Sequence, residues 1–335
     1  MTSRERVIRT LEFKEIDRAP RDLWCLPGVM SQRLDEVNEV SMKFPGDIGY
    51  PDHSYGSGES CKGEPFKAGS WIDEWGSEWH AGEDGIAGEV KGYPLTDWAK
   101  LDSYKLPWEC LDNADFSRVN KSCNDTDKFV RAGTKTRPFE RMQFLRGTEN
   151  LFMDLAYGTK EVYKLRDMLH EFSLREMEMW AKTDVDGVSF MDDWGSQLSL
   201  LISPDMWREF FKPLYKDYCD IIHGSGKYVF FHSDGNIEAI YPDLIEIGIN
   251  AINSQLFCMD IKKLSQYKGK IVFWGEIDRQ FVLPFGTTDD VKAAVARAAN
   301  HLFLPERTGM IAQCEWGMND PKKNIEAVFA EWNKY

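Results

Sequence analysis

The chain has 335 residues, of which 42% are hydrophobic and 13% aromatic, enough to bury a sizeable core. No apolar run approaches the roughly 20 residues a membrane helix needs, so a membrane-spanning role is excluded. Its 41 Lys and Arg face 55 Asp and Glu, a formal charge of -14, which argues against a nucleic-acid surface.

The first residues, Met1 to Arg6, carry mixed charge and no apolar stretch, so a cytoplasmic location is expected. Seven scattered cysteines without a CxxC pair point the same way: buried thiols in a reducing compartment, with one or two available for chemistry. Thr2 and Glu5 read as a capping box before an apolar stripe of Val7, Ile8 and Leu11, which predicts a first helix. Asp17-Arg18-Ala19-Pro20 ends it, and Asp22-Leu23-Trp24 reads as the first strand.

Between about 65 and 110, Trp71, Trp75 and Trp79 recur among Gly and Asp, which predicts a hairpin insertion across one mouth of the main domain. Its aromatics are candidates for a pocket, although packing the hairpin onto the domain is the commoner task. From residue 128 short β-rich runs alternate with helical patterns. The runs are Lys128–Arg131, Gln143–Arg146, Val185–Met191, Tyr228–Phe231, Ala251–Ser254, Ile271–Trp274 and Gly309–Gln313. Helices are expected from Ser203-Pro204, with others beginning at Thr159, Thr288 and Asp320-Pro321. With the N-terminal elements the pattern amounts to about eight strand–helix units in one domain spanning 1–335, an α/β (β/α)8 TIM barrel. A doubly wound sheet is disfavoured because neither GxGxxG nor GxxxxGK[ST] follows any strand.

Polar residues at the carboxyl ends of barrel strands read as catalytic, and four ends carry them. Asp192 and Asp193 close one run, and strand alternation sends one inward and one outward. Either can orient substrate or donate a proton, and a loop cap is the structural alternative. His232 and Asp234, two apart, share a face and suit a metal. Glu276 follows an apolar strand as a ligand, a base or a partner for Arg279, and Cys314 closes the last strand.

Taken together, Arg18-Ala19-Pro20, Phe44-Pro45-Gly46-Asp47, Asp73-Glu74-Trp75-Gly76, Asp192-Asp193-Trp194-Gly195, His232-Ser233-Asp234-Gly235-Asn236, Gly275-Glu276-Ile277-Asp278 and Cys314 resemble the uroporphyrinogen decarboxylase-like superfamily over essentially the whole chain. Within it the chain resembles the corrinoid-dependent methyltransferase branch. The decarboxylases' Arg-Gln-Ala-Gly-Arg segment is replaced by Trp24-Cys25-Leu26-Pro27-Gly28, which lacks the arginines that clamp substrate carboxylates. The methylcobalamin:coenzyme M methyltransferases bind zinc through His-x-Cys and a distant Cys. By that resemblance His232, Asp234 and Cys314 are the zinc ligands, with Asp234 in place of the first thiolate and Glu276 or Gln255 in support. A harder donor set suits polarisation of an oxygen better than activation of a thiol.

The resemblance therefore implies transfer of a methyl group from a methoxylated, aromatic compound to the corrinoid of a separate partner protein. Asp192, Asp193 and Glu276 are the candidate acids, and Trp24, Trp194 and Gln255 the substrate-binding residues. The corrinoid is expected on the partner because the Asp-x-His-x-x-Gly signature is absent. Members of the superfamily often pair, which leaves room for a homodimer. The alternatives are methyl transfer from a methyl-corrinoid to a thiol, and a decarboxylating or metal-free barrel.

Overall fold

A computed structural model describes residues 1–304 and 308–335. Its strands are β1 (Arg21–Cys25), β2 (Ile48–Gly49), β3 (Gly69–Ile72), β4 (Glu78–Ala81), β5 (Glu89–Gly92), β6 (Phe129–Gly133), β7 (Gly187–Met191), β8 (Tyr228–Ser233), β9 (Ala251–Ser254), β10 (Val272–Trp274) and β11 (Met310–Trp316). Eight of them form one parallel sheet in the order β1-β11-β10-β9-β8-β7-β6-β2. Helices follow the strands and cover the outside, so the sheet is a nearly closed (β/α)8 barrel.

The two end strands are joined through one residue. Asp47 N donates to Arg21 O at 2.8 Å, and Arg21 N donates to the Asp47 carboxylate at 2.7 Å. That carboxylate, fully buried, also accepts from Ser3 Oγ, Arg6 Nη1 and both Arg18 Nη atoms at 2.6–3.0 Å. Burial pushes the Asp47 pKa up, and the donors from Arg18, Ser3 and Arg21 outweigh it, leaving the value below the ordinary one. Arg18-Ala19-Pro20 and Phe44-Pro45-Gly46-Asp47 thus meet as the seam of the barrel.

The helix Ser3–Leu11 starts after Thr2, whose Oγ1 accepts from Glu5 N at 3.1 Å, the first half of the expected capping box. Val7 and Leu11 join Ile48, Phe129, Phe230, Ala251, Val272, Trp274 and Ile311 in an interior cluster that plugs the bottom of the barrel. A larger cluster lies between strands and helices. Strands β1, β6, β8, β9, β10 and β11 alternate between the two, and this alternation decides which side chains reach the site.

Two expectations need correction. Gln143–Arg146 is the last turn of the helix Pro138–Arg146, not a strand. Phe139, Met142 and Leu145, at helical spacing behind a proline at the first position, bury one face and override the local β-propensity. The strand that stands before β6 in the barrel is β2, too short at two residues to show any alternation.

The insertion is a three-stranded antiparallel sheet, β3-β4-β5. Trp71 and Trp79 stack on each other at 5.4 Å, and Trp79 also meets Phe144 at 4.9 Å. Asp73 accepts from Trp75 N, Ser77 N, Trp79 Nε1 and Arg141 Nη1. Trp79 and Asp73 therefore brace the insertion against the helix Pro138–Arg146, while Trp75 lines shallow pockets beside it and none of the three tryptophans lines the cavity beside Glu276. At the other end of the insertion Gly85, with φ at +92°, approaches Gly28 so closely that a Cβ would stand 2.7 Å from its Cα.

Candidate functional site

Alternation turns Asp22 and Trp24 of β1, Arg131 of β6, Ser189 of β7, His232 of β8, Asn253 of β9 and Trp274 of β10 toward the barrel axis. The lower of these form a polar layer under the mouth. Asp22 accepts from the indole N–H groups of Trp24 and Trp274, each at 2.9 Å. Arg131 lies 4.6 Å over the Trp274 ring and donates to Ser189 Oγ and to Tyr50 Oη.

His232 stands on this layer, its ring 5.6 Å from Trp24. Asn253 Nδ2 donates to Trp274 O at 2.5 Å, which turns Oδ1 of the same amide toward His232 Nδ1 at 2.6 Å. Nδ1 must then carry a proton, and Nε2 of the neutral ring offers its lone pair to the mouth. Nε2 lies 3.6 Å from Asp193 Oδ1 and 3.7 Å from Asp234 Oδ1. The ligand atoms of these three residues all fall within 4.8 Å of one another, a geometry able to hold a metal ion. Burial draws the His232 pKa down, and Asp193, Asp234 and Glu276 more than reverse this, so it is raised overall.

Glu276 follows β10 and is 3% exposed. Burial pushes its carboxyl up to about 7, with Arg279 opposing and Asp234 adding to the shift. Asp234 Oδ1, Glu276 Oε1, Glu140 Oε2 and both amide atoms of Gln313 are buried without a hydrogen-bond partner among the described residues. Such atoms are costly unless a ligand completes them, and acceptors outnumber the one donor group, so the completing ligand is a cation or a donor-rich molecule. Beside them a cavity of about 160 Å³ opens between the β9 and β10 exits, lined by Gln197, Gln255, Phe257, Cys258, Glu276, Arg279, Gln280 and Phe281.

The structure brings together Trp24, Asp193, His232, Asp234 and Glu276, with Gln255 at the cavity wall. Gln255 Oε1 accepts from Gly235 N and Cys258 Sγ, each at 3.2 Å, and so organises two loops. Three expected site residues lie elsewhere. Cys314 is fully buried in the cluster between strands and helices, on the face of β11 opposite Gln313 and Glu315, and it is not among the residues that converge on His232. Burial holds its thiol well above the ordinary range. Asp192 accepts from Phe139 N, Glu140 N and Tyr215 Oη at 2.6–2.7 Å, so it caps the helix Pro138–Arg146. Trp194 is fully buried, stacked 4.0 Å from Phe139, with its N–H given to Tyr215.

Residues not singled out from sequence are Arg279 as a hub, Glu140, Gln313 and Glu315. Arg279 donates to Asp234 and to Glu315, with Nε 3.7 Å from Glu276 Oε2. Once Ile311 is seen to face the interior, counting by two gives Gln313 and Glu315 and skips Cys314.

A family model described as uroporphyrinogen decarboxylase (URO-D) matches residues 89–335. The chain belongs to the URO-D family. None of the curated proteins matches it. Among solved structures, a methyltransferase from Methanosarcina mazei superposes with a TM-score of 0.72 at 16% identity, covering 100% of this chain and 99% of that one. A glycosylated endo-β-1,4-xylanase from Gloeophyllum trabeum superposes with a TM-score of 0.47 at 7% identity, covering 96% and 98%. At these identities the likeness is one of fold. Among the described residues no helix is long and apolar enough to cross a membrane.

Zinc, which the resemblance implies, can be tested against the donors present. His232 Nε2, Asp193 and Asp234 fit a divalent ion, and the nearby Glu276 carboxyl, with one oxygen buried and unpartnered, lies outside that ligand set. The set is all nitrogen and oxygen, with no thiolate contributed by Cys314, and so is harder than a thiolate-bearing one.

Proposed function

We propose that this URO-D family member is a methyltransferase that moves a methyl group from a methoxylated aromatic compound to the reduced corrinoid of a separate protein. The observation that carries the reading is the convergence of His232 Nε2, Asp193 and Asp234 beside the orphan Glu276 oxygen at the edge of an amide- and phenyl-lined cavity. The fold likeness to a methyltransferase is in keeping with it. Decarboxylation of a polycarboxylate fits poorly. The exit of β1 offers no arginine pair, and carboxylates at 193, 234, 276 and 315 would repel such a substrate. Thiol methylation fits poorly too, because the donor set has no thiolate to match a soft acceptor.

The residues divide the work as follows. Gln197, Gln255 and Gln280 can hydrogen-bond oxygen substituents of a ring held against Phe257 and Phe281. Asn253 holds His232 in the tautomer that leaves Nε2 free. A divalent ion held by His232, Asp193 and Asp234 supplies Lewis acidity toward the ether oxygen. A partner's reduced corrinoid, docked over the mouth, would supply the cobalt nucleophile that takes the methyl group from that oxygen. The electron pair of the broken C–O bond stays on oxygen, and Glu276 donates the proton that neutralises it.

The test is incubation of the zinc-loaded protein with free cob(I)alamin and 2-methoxyphenol or related ethers. Release of the phenol with equimolar methylation of cobalt is expected, and is lost in His232→Ala. Zinc binding without any demethylation across a panel of methoxylated rings, together with turnover of a thiol acceptor, would overturn the reading.

A further inference from the structure

Three strand exits of the mouth send a carboxylate to a single cation. Asp234 after β8, Glu276 after β10 and Glu315 within β11 converge on the guanidinium of Arg279. Two of these carboxylates are divided between two tasks. Asp234 gives Oδ2 to Arg279 and turns Oδ1, buried and unpartnered, toward His232 Nε2. Glu276 places Oε2 near Arg279 and keeps Oε1 buried without a partner. A carboxylate already paired with a fixed positive charge is a weaker ligand for a second cation, because the two cations repel across it.

Arg279 is carried by a loop rather than by a strand. The loop turns on Asp278, whose Oδ1 accepts from Gln280 N and Phe281 N at 2.9 Å, and it lines the open cavity with Phe281 68% exposed. A side chain on such a loop can withdraw toward the cavity without breaking the barrel.

We propose that Arg279 is a built-in competitor for the cation site of His232, Asp193 and Asp234. Without a divalent ion it neutralises Asp234 and Glu315 and keeps the acidic mouth assembled. With the ion present its charge weakens binding, so Arg279 sets the affinity of the site. Arg279 acts here as a positioning residue, and the proposal rests on the reading that the site takes a divalent ion.

The experiment titrates the full chain, stripped with chelator, with Zn²⁺ by calorimetry and follows thermal unfolding with and without the ion. Wild type, Arg279→Gln, Arg279→Lys and His232→Ala are compared. Arg279→Gln is expected to bind Zn²⁺ at least ~10-fold more tightly than wild type, while Arg279→Lys, which keeps the charge, stays within a few fold of it. Ion-free Arg279→Gln is expected to melt below wild type, because Asp234 and Glu315 lose their partner, and to gain more from Zn²⁺ than wild type does. Binding by Arg279→Gln that equals or falls below a measurable wild-type affinity overturns the competitor role and leaves the metal site standing. Absence of binding in wild type and Arg279→Gln alike overturns the metal reading and the competitor with it. Binding in Arg279→Gln alone is the extreme form of the expected result.

Discussion

The barrel holds two buried clusters of charge, one at each end of its strands, and they are finished differently. At the amino-terminal end Asp47 is surrounded by Ser3, Arg6, Arg18 and the Arg21 N–H, each with a hydrogen bond to its carboxylate. At the carboxyl end Glu276 and Gln313 are buried and Asp234 and Glu140 half-buried, yet each keeps at least one buried polar atom without a partner among the described residues. Here the saturated cluster is the one that seals the barrel, and the incomplete one is the one proposed to take a ligand. The charged residues are of the same types, and only their completeness separates structure from function.

The sharpest way to break this contrast is to remove the centre of the closed cluster. Asp47→Ala leaves Arg18 without a carboxylate partner and Arg6 with Asp17 alone, and removes the side-chain half of the seam between β1 and β2, so it should cost about 3–5 kcal/mol of unfolding free energy by chemical denaturation. The zinc affinity of whatever protein remains folded should match wild type. An Asp47→Ala protein of full stability would dissolve the distinction.

The open cluster should behave in the reverse manner. Glu276→Gln removes a proton donor and a buried charge, so activity should fall by about 100-fold or more while the melting temperature holds or rises. Steady-state demethylation beside differential scanning calorimetry reads both.

Asp320 provides an intermediate case. It is buried and accepts from the Gly317 N–H at 2.6 Å, and among the described residues no arginine is hydrogen-bonded to its carboxylate. Burial pushes its pKa up to about 6, against about 3.9 for an unfolded aspartate. Below pH 4 both states hold the proton, and between 4 and 6 the unfolded state releases it while the folded state keeps it. Stability should therefore fall as pH rises through that window, by no more than about 3 kcal/mol. Urea unfolding at pH 4 and 7 should show Asp320→Asn losing that component of the slope.

Cys314 should have the smallest effect. On the outer face of β11 it is packing, so Cys314→Ser should cost about 1–2 kcal/mol by placing a hydroxyl among apolar side chains. Zinc stoichiometry by elemental analysis should not change. Loss of the ion in this variant would restore the thiolate to the ligand set.

The alternation of β-rich and helical runs from residue 128, the capped first helix and the absence of Gly-rich phosphate turns were enough for the barrel. These are local patterns, and a buried parallel strand or an amphipathic helix announces itself within its own residues. The pairing of His232 with Asp234 was legible for the same reason, since residues two apart at a strand end share a face. Cys314 shows where that reasoning needs a reference point: alternation assigns faces only once one residue of the strand is known to point inward, and Ile311 in the interior cluster provides it. The packing of neighbouring elements decided that Asp192 caps a helix starting 54 residues earlier at Pro138, and that Asp193 beside it meets His232. It also decided that four separate strand exits place Asp193, Asp234, Glu276 and Glu315 around one histidine and one arginine. Convergence of that kind belongs to the closed barrel, because distances between strand ends arise only when the sheet curls and its two edges meet at Asp47.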